Sequence, residues 1–94
     1  MNKYESVIII NPNVEGEALK ALISRFKDLI NSEGKVEKVD ELGKKKLAYD
    51  VKKFEEGIYV VFYFEAKAEL ISELERNYRI TDEVIKFLVV KEEE

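Results

Sequence analysis

Ninety-four residues, 46% apolar and 38% charged, set the size of one small domain with a single core. The chain has no cysteine and no histidine. That excludes disulfides and thiolate metal sites, and it removes the commonest general base and the commonest metal ligand together. The formal net charge of −4 argues against nucleic acid as a sum, yet it is unevenly placed. Residues 35–53 hold seven lysines against four acids, while the segments on either side are net acidic.

Tyr4-Glu5-Ser6-Val7-Ile8-Ile9-Ile10 is rich in β-branched residues and ends at the turn cluster Asn11-Pro12-Asn13, so it reads as a buried strand. A helix is predicted from Glu15 to Glu33. Leu19, Leu22, Ile23, Phe26, Leu29 and Ile30 repeat at helical spacing on one face, with Asn13 as N-cap candidate and Gly34 as stop. From Lys35 to Val51 the alternation slips near Leu42-Gly43, which predicts one long strand with a bulge or bend, or two short ones. The loop 52–57 returns the chain as a hairpin.

Ile58-Tyr59-Val60-Val61-Phe62-Tyr63-Phe64-Glu65 alternates with period two. Ile58, Val60, Phe62 and Phe64 make a wholly apolar face, and Tyr59, Val61, Tyr63 and Glu65 an amphipathic one. A second helix is expected over Ala68 to Arg79, with Leu70, Ile71, Leu74 and Tyr78 inward. A last strand follows over Val84 to Lys91, with Ile85, Phe87 and Val89 on one face and Lys86, Leu88 and Val90 on the other. The order β-α-β-β-α-β predicts an α+β, ferredoxin-like domain over residues 1–91, a four-stranded antiparallel sheet with both helices on one face. Residues 92–94 form an acidic tail. The start Met1-Asn2-Lys3-Tyr4 does not read as a signal peptide, and the longest apolar runs are far too short to cross a bilayer. A cytoplasmic protein without a membrane partner is expected.

Catalysis has little to work with. The acids are scattered, the serines have no histidine to activate them, and the four glycines form no phosphate-cradling motif. No catalytic residue, metal, cofactor or small-molecule substrate is expected. Stacking of bases on the sheet, as in an RNA-recognition motif, fits poorly. Glu56 stands at the basic position of that motif, and Ile58 and Val60 at the two aromatic ones. Phosphate contact is the other route, from Lys44, Lys45 and Lys46 with Lys52 and Lys53 near the far end of the hairpin. Adjacent lysines on a strand are more often a solvated surface, since they alternate faces unless the Gly43 bend splays them. A protein partner is the third option. Val7, Ile9, Tyr59, Val61, Tyr63 and Leu88 would line the helix-free face as an exposed apolar patch, unless the tail or a crossing loop covers it. A homodimer through that open face stands as the alternative from another functional class.

Several stretches together resemble the bacterial small-subunit ribosomal protein six family. They are Tyr4-Glu5, Asn11-Pro12, Gly34, Glu41-Leu42-Gly43-Lys44-Lys45-Lys46-Leu47-Ala48-Tyr49, Lys53, Gly57-Ile58-Tyr59 and Arg79-Ile80-Thr81-Asp82-Glu83-Val84-Ile85-Lys86-Phe87-Leu88-Val89-Val90. The resemblance spans Tyr4 to Lys91. It implies a non-enzymatic component of the small ribosomal subunit that binds the central domain of the small-subunit ribosomal RNA together with the ribosomal protein numbered eighteen. By position it carries RNA contact onto Lys44, Lys45 and Lys46, and onto Arg79 and Lys86. Lys86 stands where the family more often has arginine, which replaces a bidentate phosphate contact by a point charge.

Overall fold

A computed structural model describes residues 1–92. The order is β1 (Asn2–Ile10), α1 (Gly16–Glu33), β2 (Gly34–Val51), β3 (Phe54–Ala66), α2 (Ala68–Ile80) and β4 (Val84–Lys91). The strands form one sheet in the order β2-β3-β1-β4, every neighbouring pair antiparallel. This is the expected ferredoxin-like arrangement. The Glu92 N–H still donates to the Lys3 carbonyl at 2.8 Å, so the first tail residue is tied to β1. Glu93 and Glu94 lie outside the described residues.

Strand alternation builds the main core. Tyr4, Ile8 and Ile10 on β1 and Ile58, Val60, Phe62, Phe64 and Ala66 on β3 all point to the helix side. Leu22, Ile23, Phe26 and Ile30 of α1 and Leu70, Leu74 and Tyr78 of α2 meet them there. One polar pair is sealed inside. Ser6 is fully buried on the apolar parity of β1, and its hydroxyl shares a 2.7 Å hydrogen bond with the Tyr78 phenol. Tyr78 also packs edge-on against Phe26 with ring centroids 4.8 Å apart. The pair is satisfied, so it specifies how α2 sits on β1 without leaving an orphaned group.

Three local expectations change. Asn13 does not cap α1; its N–H donates to the Asn11 side chain at 2.8 Å, and Glu15 occupies the cap position without a side-chain bond. The hairpin loop is two residues long, Lys52-Lys53, because β3 starts at Phe54. The polar pair Glu55-Glu56 conceals that extension from an alternation argument. Both loop lysines take positive φ, +50° and +70°, as a tight hairpin with the right-handed strand twist demands. Ile85 does not share a face with Phe87 and Val89. The β1–β4 register shifts between Ile9 and Ile10, where Lys86 and Val84 are the successive partners. That bulge turns Ile85 to the helix-free side.

The bulge expected in β2 is present. The register jumps between Glu41 and Gly43, and Gly43 has φ +82°, a conformation that excludes most side chains. β2 is also far longer than β1 or β4, so the β2–β3 hairpin outgrows the sheet and folds back over its helix-free face. There Leu47 joins Ile9 and Ile85 in a second small core, flanked by Val51, Phe54 and Tyr59. Gly57 makes the crossing feasible, since a Cβ at that position would run into Ile9 Cγ2.

Candidate nucleic-acid and partner interface

Six of the seven predicted basic residues fall into two groups of three, and Lys53 stands apart. Lys44, Lys45 and Lys46 pair with Ile58, Gly57 and Glu56 in unbroken register, so Lys45 projects opposite to the other two. The Gly43 bulge lies before this run and does not splay it. All three are exposed. Lys44 borders a shallow cleft beside Pro12, Glu15 and Leu19 on the helix side.

The second group converges. Lys52 from the hairpin turn, Arg79 from the end of α2 and Lys86 from β4 line one cleft of about 230 Å³, with Tyr78, Val84, Ile85 and Phe87 as its other walls. The Arg79 guanidinium stands 6.0 Å from the Phe87 ring centroid, within cation–π range. Lys53 is exposed in the same turn and is absent from the cleft lining. Lys52 is distant in sequence from Arg79 and Lys86, and only the fold-back of the hairpin brings it to the β4 side.

Tyr49, 65% exposed, stands against Lys86. Its phenol oxygen accepts a 2.8 Å hydrogen bond from the Lys86 ammonium, whose Nζ is 5.0 Å from the ring centroid. That hydrogen bond, and then the lysine charge, hold the phenol pKa below its ordinary value. No role was predicted for Tyr49. Its place in Leu47-Ala48-Tyr49 was the available signal, but nothing local says that β4 lies beneath it.

The predicted apolar surface is reduced by the same fold-back. Ile9 is buried under the hairpin tip and Tyr59 is half-buried beside it. Val61, between Val7 and Asp40 in the register, is buried too. These three therefore do not form an open patch. What remains is Val7 and Tyr63, half-buried, with Leu88 at 59% and Val90 at 47% exposure on edge strand β4. Val90 was not among the predicted surface residues. Lys38 lies 5.6 Å from the Tyr63 ring centroid and pairs with Asp40 at 3.5 Å, which gives the patch a charged rim. Ile58 and Val60 sit in the main core, so this sheet offers no base-stacking pair like that of an RNA-recognition motif.

A larger cleft of about 610 Å³ lies elsewhere, near the C-terminus of α1 and the N-terminus of α2. It has a mixed lining that includes Glu33, Lys67 and Glu69. Among the described residues no cluster of acids is arranged to hold a metal ion, and no helix is long and apolar enough to cross a membrane.

The molecule is a ferredoxin-like α+β domain with a basic cleft at one end of its sheet and exposed apolar side chains on edge strand β4. Comparison with known proteins makes the class specific. The ribosomal protein S6 family profile matches residues 3–91. The chain is similar to the small ribosomal subunit protein bS6 of Clostridium novyi, 50% identical over 99% of both chains. It is also similar to that of Heliobacterium modesticaldum, 43% identical over 100% of this chain and 99% of the relative. A crystal structure of the 30S ribosomal protein S6 of Thermotoga maritima superposes with a TM-score of 0.92 at 41% identity, covering 97% of this chain and 87% of that one. An Arabidopsis thaliana protein at 16% identity and a TM-score of 0.57 shares the fold alone. The chain belongs to the ribosomal protein S6 family, whose members are structural, non-enzymatic proteins of the small ribosomal subunit.

Proposed function

We propose that this protein binds the central domain of the small-subunit ribosomal RNA jointly with the ribosomal protein numbered eighteen, in the cytoplasm as part of the ribosome. The observation that carries this reading is the convergence of Lys52, Arg79 and Lys86 on one cleft. Three cations from three separate elements suit a polyanion that spans the hairpin tip and β4. Lys44, Lys45, Lys46 and Lys53 extend the basic surface along the hairpin. Because Lys45 opposes its neighbours, these lysines would meet more than one part of a folded RNA.

The partner surface is the remaining patch of Val7, Tyr63, Leu88 and Val90. Leu88 and Val90 are large apolar side chains exposed on an edge strand, where covering them would remove apolar area from water. The net charge of −4 also favours joint binding, with the partner supplying part of the positive surface that faces the RNA.

The test is RNA affinity across a salt series, with and without the partner protein. Joint binding predicts much tighter binding with the partner present and a linear fall of log affinity with log salt. Equal affinity in both arms would sink it. The same exposed pair on β4 is what a homodimer would use. A stable dimer in sedimentation, with negligible RNA binding at physiological salt, would favour that second reading.

A further inference from the structure

The tip of the β2–β3 hairpin and strand β4 meet in a polar contact, the 2.8 Å hydrogen bond from the Lys86 ammonium to the Tyr49 phenol oxygen. Both side chains are exposed, so the contact does little for stability. Its geometry matters more. A lysine on a strand surface samples many rotamers, and ordering one at the moment of binding reduces affinity. Tyr49 removes part of that cost in advance by holding Lys86 where Lys52 and Arg79 line the same cleft. Lys52 is three residues beyond Tyr49, so the same contact ties the hairpin turn to β4.

The chemistry of the anchor is also selective. A carboxylate at position 49 would hold the lysine equally well and cancel its charge. The neutral phenol leaves the positive charge in place and occupies one of three ammonium donors. Among the described residues none of Lys52, Arg79 and Lys86 forms a salt bridge with a carboxylate. The cleft is thus a cluster of unneutralised cations with one member held in place.

We propose that Tyr49 is a positioning residue for a phosphate cradle formed by Lys52, Arg79 and Lys86, which takes successive phosphates of the RNA backbone, about one for each cation. This rests on the RNA-binding reading above and adds a distinct claim: an uncharged side chain sets part of the electrostatic contact.

The experiment measures binding to a transcript of the central domain of small-subunit ribosomal RNA, with the partner protein present, across a potassium chloride series. Lys86→Ala should lower the slope of log affinity against log salt by about one, the value for one lost phosphate contact. Tyr49→Ala removes no charge, yet it should lower that slope by a good part of the same unit and weaken binding about three- to tenfold. Tyr49→Phe, which keeps the ring and loses the hydroxyl, should fall between wild type and Tyr49→Ala. On a Lys86→Ala background, Tyr49→Ala should have no further effect. Unchanged thermal melts establish that each variant is folded.

An unchanged slope for Tyr49→Ala beside a reduced slope for Lys86→Ala overturns the proposal. So does a Tyr49→Ala loss that persists on the Lys86→Ala background, which would mark direct stacking on a base. Wild-type protein with no salt-dependent binding would remove the RNA-binding reading itself, and that arm is read before any variant.

Discussion

The two faces of the sheet solve the same problem with unequal means. On the helix side, α1 and α2 cover β1 and β3, and Ile8, Phe26, Phe62, Phe64 and Leu74 are sealed from water. On the other side there is no helix. One end is covered by the chain's own hairpin tip, with three buried side chains, Ile9, Leu47 and Ile85. The difference separates stability from recognition. The large core holds the fold, and the small one holds a hairpin tip in place and brings Lys52 to the β4 side. Elements with few buried apolar contacts open at lower free energy than the domain as a whole.

The sharpest way to break this comparison is to cut both cores and measure each variant twice. Phe62→Ala, in the centre of the helix-side core, should cost about 3–5 kcal/mol of global stability in denaturant unfolding. Leu47→Ala should cost about 2 kcal/mol, the low end for a buried leucine, because a hairpin tip can collapse around the gap. Its larger effect should be local, with faster amide exchange confined to residues 45–58 while the helices stay protected. If Leu47→Ala raised exchange throughout the domain, the second cluster would be part of the main core and not a separate clasp.

A smaller effect tests the polar pair inside the main core. Burial pushes the Tyr78 phenol pKa above its ordinary value, against a weaker opposing effect of the Ser6 hydrogen bond. The folded state therefore holds a proton that the unfolded chain releases. The stability from this group is fully present below the ordinary tyrosine pKa and is lost progressively as pH rises above it. Tyr78→Phe should cost about 1–2 kcal/mol at neutral pH by removing the partner of buried Ser6. It should also flatten the alkaline loss of stability. An alkaline limb equally steep in wild type and variant would show that another group drives it.

How far the sequence foretold each side follows from the range of the forces involved. The helix face was legible because a period of 3.6 in α1 and of two in β3 are local signals, and Leu22, Phe26, Ile58 and Phe62 obey them. The bulge at Gly43 was legible as a break in alternation. The Ile85 bulge was not, because Val84-Ile85 reads as a plain strand and the extra residue shows only in the register with β1. The hairpin fold-back was hidden for a similar reason. Leu47 and Ile9 are apolar on their own strands, but only tertiary structure reveals that they meet. Hence Lys52, Arg79 and Lys86 could be named one by one and not as a cluster. Ile9, Tyr59 and Val61 looked like open surface for want of the element that folds toward them, and because Val61 is buried among its sheet neighbours.

The hairpin turn gives the finest test of the division between stability and recognition. Lys52 and Lys53 both hold positive φ, which a lysine adopts at a cost that glycine and asparagine largely avoid. On stability alone, Asn-Gly is the better pair for this turn. Replacing Lys52-Lys53 by Asn-Gly should therefore raise stability by about 1 kcal/mol, the scale of relieving such backbone strain. The same change removes one cation from the cleft and a second from the turn beside it. RNA affinity should fall, with a salt slope lower by about one to two. A variant that gains stability while losing affinity would show that this turn keeps lysine for charge at the expense of backbone comfort. A variant that gains stability and binds RNA with unchanged slope would place the phosphate contacts elsewhere, along Lys44 to Lys46. The small core would then serve only to close the end of the sheet.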